Sequence, residues 1–88
     1  MGRVAVVTGG TRGIGEAICL RLKKSGYDVV ATYAGNDEAA NAFSEANGIP
    51  VYKFDVADFE ACKAGIEKIE AECGAVDVLV NNAGITRD

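Results

Sequence analysis

Four apolar residues, Val4-Ala5-Val6-Val7, run without alternation straight into Thr8-Gly9-Gly10-Thr11-Arg12-Gly13-Ile14-Gly15. No other feature of the chain restricts its fold as much. An unbroken apolar run of this length reads as a strand buried on both faces, which is the situation of a parallel sheet covered by helices. The glycines permit positive φ and let the backbone approach a ligand closely. The helix that follows presents unpaired N–H groups and the positive end of its dipole at the same place. Strand, glycine turn and helix together form an anion-binding device, so a nucleotide cofactor is expected near the N-terminus.

The spacing of that turn narrows the reading. Gly9, Gly13 and Gly15 form G-x-x-x-G-x-G, which differs from the G-x-G-x-x-G dinucleotide fingerprint. A Walker loop is excluded, because Gly10 and Gly15 have its separation but Glu16 stands where its lysine is required. The alternative is a turn with a purely structural role. Against that alternative, strand, turn, helix and Thr8 all agree.

The rest of the chain alternates strand and helix. A first helix is predicted from about Gly13 to Ser25, with Ile14, Ile18 and Leu22 on one face beside Ala17, and Gly26 as its stop. A second strand covers Asp28 to Tyr33, and Ala34-Gly35-Asn36 is a turn. A second helix starts at Asp37, carries Asp37 and Glu38 in its first turn, and ends near Gly48. Pro50 precedes a third strand, Val51 to Val56. Asp58 can cap a third helix, whose apolar face is Phe59, Cys62, Ile66, Ile69 and Cys73. Gly65 inside that helix costs about 1 kcal/mol against alanine unless close packing requires it. Val76 to Val80 is a fourth strand, left through Asn81-Asn82-Ala83-Gly84. The order βαβαβαβ predicts an α/β, Rossmann-like parallel sheet with right-handed crossovers and strand order 3-2-1-4. The fourth strand would then be a bare apolar edge, able to pair with a second chain. Residues 1–88 are expected to be the dinucleotide-binding half of a larger domain, with the substrate and catalytic half absent.

Composition excludes several function classes. The chain has 88 residues, 49% of them hydrophobic and 25% charged, and a net charge of −4. That balance suits one soluble domain and argues against a nucleic-acid surface. No apolar run approaches the roughly 18 residues of a membrane span. There is no histidine, which removes imidazole catalysis and most zinc sites. Cys19, Cys62 and Cys73 form no C-x-x-C pair and are expected to be buried free thiols in a reducing cytoplasm, not metal or redox ligands.

Thr8-Gly9-x-x-x-Gly13-Ile14-Gly15, Asp55-Val56 and Asn81-Asn82-Ala83-Gly84, in that order, resemble the motifs of the short-chain dehydrogenase/reductase family across the whole chain. Val78 to Asp88 is similar to two of its groups, which reduce 3-oxoacyl thioesters carried on coenzyme A or on acyl carrier protein. Gly48 to Lys53 and the helix after Asp58 tilt the resemblance toward the acetoacetyl-CoA group. The resemblance implies a nicotinamide cofactor. It places the backbone of Thr11 to Ile14 against the pyrophosphate and adenosine, with Thr8 bracing the turn against the Asn81–Gly84 segment. Asp55 would accept from the adenine amino group beside Val56, and Asn82, Ala83, Gly84 and Ile85 would line the riboses. Tyr33, at the end of the second strand, joins the cofactor-binding candidates together with Gly9, Gly13 and Gly15. Asp55 could instead only end a strand, and Asn81 and Asn82 could only knot strands together. An unrelated module for S-adenosylmethionine or flavin is a further alternative, opposed by the spacing of Asp55 and Asn81–Gly84.

The second strand ends Ala31-Thr32-Tyr33-Ala34, with no acid to hold the 2′-hydroxyl of NAD, and Arg12 in the turn could pair with a 2′-phosphate. NADP is therefore the expected cofactor. Arg12 could otherwise be a solvated surface charge, and Asp37 and Glu38 are read as serving the helix N-terminus. The family's catalytic Asn, Ser and Tyr-x-x-x-Lys have no counterpart here. Tyr27, Tyr33 and Tyr52 are followed four residues on by Ala31, Asp37 and Val56. By themselves the 88 residues are expected to be inactive. Asp88 is a candidate contact to the acyl thioester substrate, and a homo-oligomer is expected.

Overall fold

The computed structural model describes residues 3–11 and 13–82. Seven elements alternate: β1 (Val4–Thr8), α1 (Gly13–Lys24), β2 (Asp28–Tyr33), α2 (Asp37–Asn47), β3 (Val51–Lys53), α3 (Phe59–Cys73) and β4 (Val76–Val80). The four strands form one parallel sheet in the order β3-β2-β1-β4. This is the expected α/β Rossmann-like arrangement. Every residue of β1 is buried, as its unbroken apolar pattern requires.

The sheet separates two cores. On one face Val7, Val29 and Ala31 pack with Cys19 of α1 and Phe43 of α2, joined by Ile49. On the other face Val4, Val6 and Val30 pack with Ile69 of α3. Strand side chains alternate between faces, so β1 and β2 supply both cores at once. Burying each such Val or Ile fully contributes about 1.5–3 kcal/mol.

Local chemistry sets the element ends. Asn36 caps α2, its Oδ1 accepting from the Ala39 N–H at 3.0 Å, and Asp58 caps α3 by accepting from Ala61 N–H at 3.1 Å. Gly48 ends α2 in the left-handed conformation at φ 65°. Strand β3 is shorter than its sequence suggests. After Phe54 donates to the Tyr33 carbonyl, Asp55 turns the chain: its Oδ1 accepts from Ala57 N–H at 2.9 Å and its carbonyl from Asp58 N–H at 3.0 Å. Asp55 therefore does terminate the strand, whatever else it does.

Two periodicity-based assignments are corrected. Ile14 is 65% exposed and Ala17 is also exposed; α1 instead buries Gly15 and Cys19, with Ile18 and Leu22 against the core. Phe59, the first residue of α3, is 76% exposed. Gly65 has the packing reason its position demanded. A Cβ there would lie 2.3 Å from the Phe54 ring.

Strand β4 carries a bulge. Val4 pairs with Val76 but Ala5 pairs with Val78, so Asp77 is the extra residue. The Val4 N–H donates to Asp77 Oδ2 at 3.0 Å instead of to a strand carbonyl. The bulge switches faces: Val76 joins the α3-side core and Val80 the α1-side core.

Candidate functional site

In an open parallel sheet, ligands bind beyond the carboxyl ends of the strands, where the strand order reverses. Here the order reverses at β1, between β2 and β4. A cleft of about 580 Å³ opens at those ends, and Thr8, Gly9, Tyr33, Asp55, Val56 and Asn81 line it. Five of these six stand among the candidates drawn from the sequence, and the sixth belongs to the motif after the fourth strand.

The glycine turn is built for close approach. Gly9 and Gly13 adopt φ of 65° and 62°, a region that a side chain disfavours. Gly15 is needed for space: a Cβ there would lie 2.1 Å from the Gly9 carbonyl oxygen and 2.7 Å from Asn82 Nδ2. The first turn of α1 thus rests directly on the loop. Gly10 N–H donates to the Thr32 carbonyl at 3.2 Å, tying the loop to β2, and the Cys19 thiol donates to the Gly10 carbonyl at 3.5 Å. Thr11 is buried, whereas Ile14 stands exposed at the mouth of the turn.

Asn82 and Thr8 join the turn to the end of β4. Asn82 is 3% exposed and its Nδ2 donates to the Gly9 carbonyl at 3.2 Å. The Thr8 hydroxyl lies 3.3 Å from both the Val80 carbonyl and Asn81 Oδ1. The expected bracing of the turn by Thr8 is therefore present in the geometry, and Asn82 braces it a second time. Asn81 and Asn82 do knot the strand ends together. Asn82 Oδ1 is buried and has no hydrogen-bond partner among the described residues. An acceptor in that state favours a donor brought by a ligand. A ribose hydroxyl is such a donor, and a cleft of this size, reached from a glycine turn at a helix N-terminus, fits a nucleotide.

Tyr33 stands beside two charges. It lies close to the Asp37 carboxylate, whose Oδ2 accepts from Lys53 Nζ at 3.3 Å and whose Oδ1 lies 3.1 Å from the same ammonium. Partial burial first, then the nearby Asp37 carboxylate, raise the Tyr33 phenol, while Lys53 pulls the other way. Lys53 first, then Tyr33, hold Asp37 below its ordinary value. Besides standing in the first turn of α2 as expected, Asp37 ties the start of that helix to the end of β3.

The structure adds cleft residues that the sequence did not single out. Phe54 and Ala57 flank Asp55 and Val56, Cys62 and Ile66 come from the first two turns of α3, and Leu79 comes from β4. Of Cys62 and Ile66, both expected on the sheet-facing stripe, Ile66 packs against the α3-side core and Cys62 is half-buried. That a stripe near the helix N-terminus reaches past the strand ends into a cleft depends on how far α3 extends, which periodicity does not carry. Arg12, Ala83, Gly84, Ile85 and Asp88 lie outside the described residues.

Comparison with known proteins agrees with this architecture. The sequence matches the short chain dehydrogenase family over residues 3–88. Over 88 residues it is 65% identical to an acetoacetyl-CoA reductase of Rhizobium meliloti (strain 1021), covering 100% of this chain and 36% of that protein. It is 46% identical over 93 aligned residues to a 3-oxoacyl-[acyl-carrier-protein] reductase of Staphylococcus aureus (strain Mu50), covering 100% of this chain and 38% of the relative. Among solved structures, a blue fluorescent protein from a metagenomic library, in complex with NADPH, superposes with a TM-score of 0.85 at 42% identity, covering 98% of this chain and 38% of that one. The chain spans about a third of the length of the curated relatives it matches. On the match across nearly all of its residues, the chain belongs to the short-chain dehydrogenase family.

Proposed function

We propose that these residues are the NADP-binding half of a reductase that converts a 3-oxoacyl thioester, acetoacetyl-CoA, to its 3-hydroxyacyl form. The observation that carries the reading is the turn itself, where Gly15 packs against the Gly9 carbonyl and Asn82 holds that same carbonyl, beside a cleft lined by Asp55. Support for the substrate comes from the 65% identical relative, an acetoacetyl-CoA reductase, and the 46% identical relative acts on acyl-carrier-protein thioesters. Support for the cofactor comes from the NADPH-bound structural neighbour. When bound, NADPH supplies a hydride to the carbonyl carbon.

The chain's own residues bind and orient. N–H groups from Thr11 to Ile14, at the positive end of α1, hold the pyrophosphate. The Asp55 carboxylate accepts from the adenine amino group, with Val56 packed beside it and Tyr33 at the adenosine end. Thr8 and Asn82 keep the turn rigid, and Asn82 Oδ1 takes a ribose hydroxyl. Arg12 carries the 2′-phosphate, Ala83, Gly84 and Ile85 line the riboses, and Asp88 meets the thioester. The catalytic Tyr-x-x-x-Lys is not among these 88 residues, so they bind cofactor without turnover. Three free thiols suit a reducing cytoplasm.

A second reading, a non-catalytic module that self-associates, is favoured by one observation: Leu79 on the edge strand β4 is 57% exposed. Fluorescence titration of the 88-residue chain with NADPH and NADH, followed by size exclusion and an acetoacetyl-CoA assay, separates the readings. Tighter binding of NADPH with no thioester reduction is expected. Preference for NADH would overturn the cofactor assignment, turnover would overturn the binding-only role of these residues, and a dimer that binds neither nucleotide would favour the second reading.

A further inference from the structure

An acid at the end of the second strand is what binds the ribose 2′-hydroxyl of NAD and repels the 2′-phosphate of NADP. The acid nearest that end in this chain is Asp37, four residues beyond the last residue of β2 and the first of α2. It is not a free charge. Lys53, the last residue of β3, is the register partner of Tyr33, the last residue of β2. Alternation puts Lys53 on the same face as Val51, which packs against the core that holds Phe43 of α2. From there its ammonium donates to Asp37 Oδ2 at 3.3 Å and lies 3.1 Å from Oδ1. Tyr33, which lines the cleft, lies close enough to that carboxylate for it to raise the phenol. Three elements thus meet at one carboxylate, beside the place where the distinguishing group of the cofactor would sit.

We propose that Lys53 is a specificity-determining residue, which pairs with Asp37 so that the β2 end accepts the 2′-phosphate of NADP despite an acid close by. The inference rests on the NADP reading above and adds a residue to it. Lys53 acts through Asp37 and is a positioning residue. Both side chains are more than half exposed, so the pair contributes little to folding and its removal leaves the protein folded. Its effect falls on a doubly charged phosphate and is screened by salt.

The test is direct binding of NADPH and of NADH, by fluorescence titration of the full chain and its variants at low and at about 0.5 M salt. Lys53→Met keeps the aliphatic stem and removes the charge. It is expected to weaken NADPH binding about fivefold, equivalent to about 1 kcal/mol, and to change NADH binding less than about twofold. The difference should shrink at high salt. Asp37→Asn alone should bind NADPH at least as tightly as the wild type, and in the Lys53→Met background it should restore NADPH binding. A wild type that prefers NADPH, with the preference unchanged in Lys53→Met, overturns this inference alone. Equal losses for both nucleotides, or no rescue by Asp37→Asn, overturn it also. A wild type that prefers NADH overturns the NADP reading and this inference together.

Discussion

Gly15 shows what a single missing side chain can decide. Its Cα sits so close to the preceding loop that a methyl group would meet the Gly9 carbonyl at 2.1 Å and Gly10 Cα at 2.9 Å. Both of those atoms are backbone, so they cannot step aside as the end of a flexible side chain could. Gly15→Ala is expected to lower stability by about 1–3 kcal/mol, the usual cost of overpacking. It should also weaken nucleotide binding more than tenfold, because the loop must move away from α1 to relieve the clash. Urea unfolding and NADPH titration check the two effects separately. Asn82 illustrates the complementary case. Only its amide can donate to the Gly9 carbonyl, and that donation leaves Oδ1 as the buried acceptor. The motif at Gly9, Gly13 and Gly15 was legible in the sequence as an anion turn. That Gly9 and Gly13 need their φ while Gly15 needs its space was not, because spacing does not distinguish the two requirements.

At the scale of elements, periodicity and caps carried most of the information. Strands β2 and β4 and the start of α2 fall where turn residues and apolar runs place them, and Asp58 and Asn36 cap the helices they precede. Gly65 was visible as a cost without a visible return. The return lies in Phe54, whose ring occupies the space a Cβ would need. Alanine has the higher helix propensity, by about 1 kcal/mol, yet Gly65→Ala is expected to destabilise by about 1–3 kcal/mol because the contact reaches the root of the ring. Urea unfolding decides the sign; a stabilised variant would mean that the ring moves freely into the cleft. The bulge at Asp77 had no sequence signature either. Val76, Asp77, Val78, Leu79 and Val80 read as simple alternation, but the pairing with β1 sends Val76 and Val80 to different cores.

For the whole molecule, the three cysteines sort by depth. Cys19 is fully buried between α1 and the glycine loop, and Cys62 and Cys73 are half-buried. Burial, with a smaller contribution from the charge of Glu16, pushes the Cys19 thiol up to about 12 from 9.0. Iodoacetamide at about pH 8 is expected to modify Cys62 and Cys73 in the native protein and Cys19 only after unfolding, which peptide mapping by mass spectrometry reads directly. The same shift predicts a pH dependence. Below pH 9 the thiol is protonated in both states and costs nothing. As pH rises from 9 toward 12 the unfolded chain loses this proton first, so stability should fall by up to about 1.4 kcal/mol per pH unit. The expectation of buried thiols holds for Cys19 and not for Cys62 and Cys73, because helical position gives a direction and says nothing of how much of the fold lies above it. The same limit explains Ile14 and Phe59, apolar residues at helical spacing that stand 65% and 76% exposed at the ends of their helices. By itself the sequence determined the alternation of strand and helix, the parallel sheet and its order, and the glycine turn at the N-terminus of α1. These follow from short-range rules of backbone conformation, capping and apolar period. Only the tertiary structure decided which glycine gives way to which atom, where β4 changes face, and that Lys53 reaches Asp37 across sixteen residues of chain. Those depend on contacts between elements distant in sequence, whose distances no local pattern encodes.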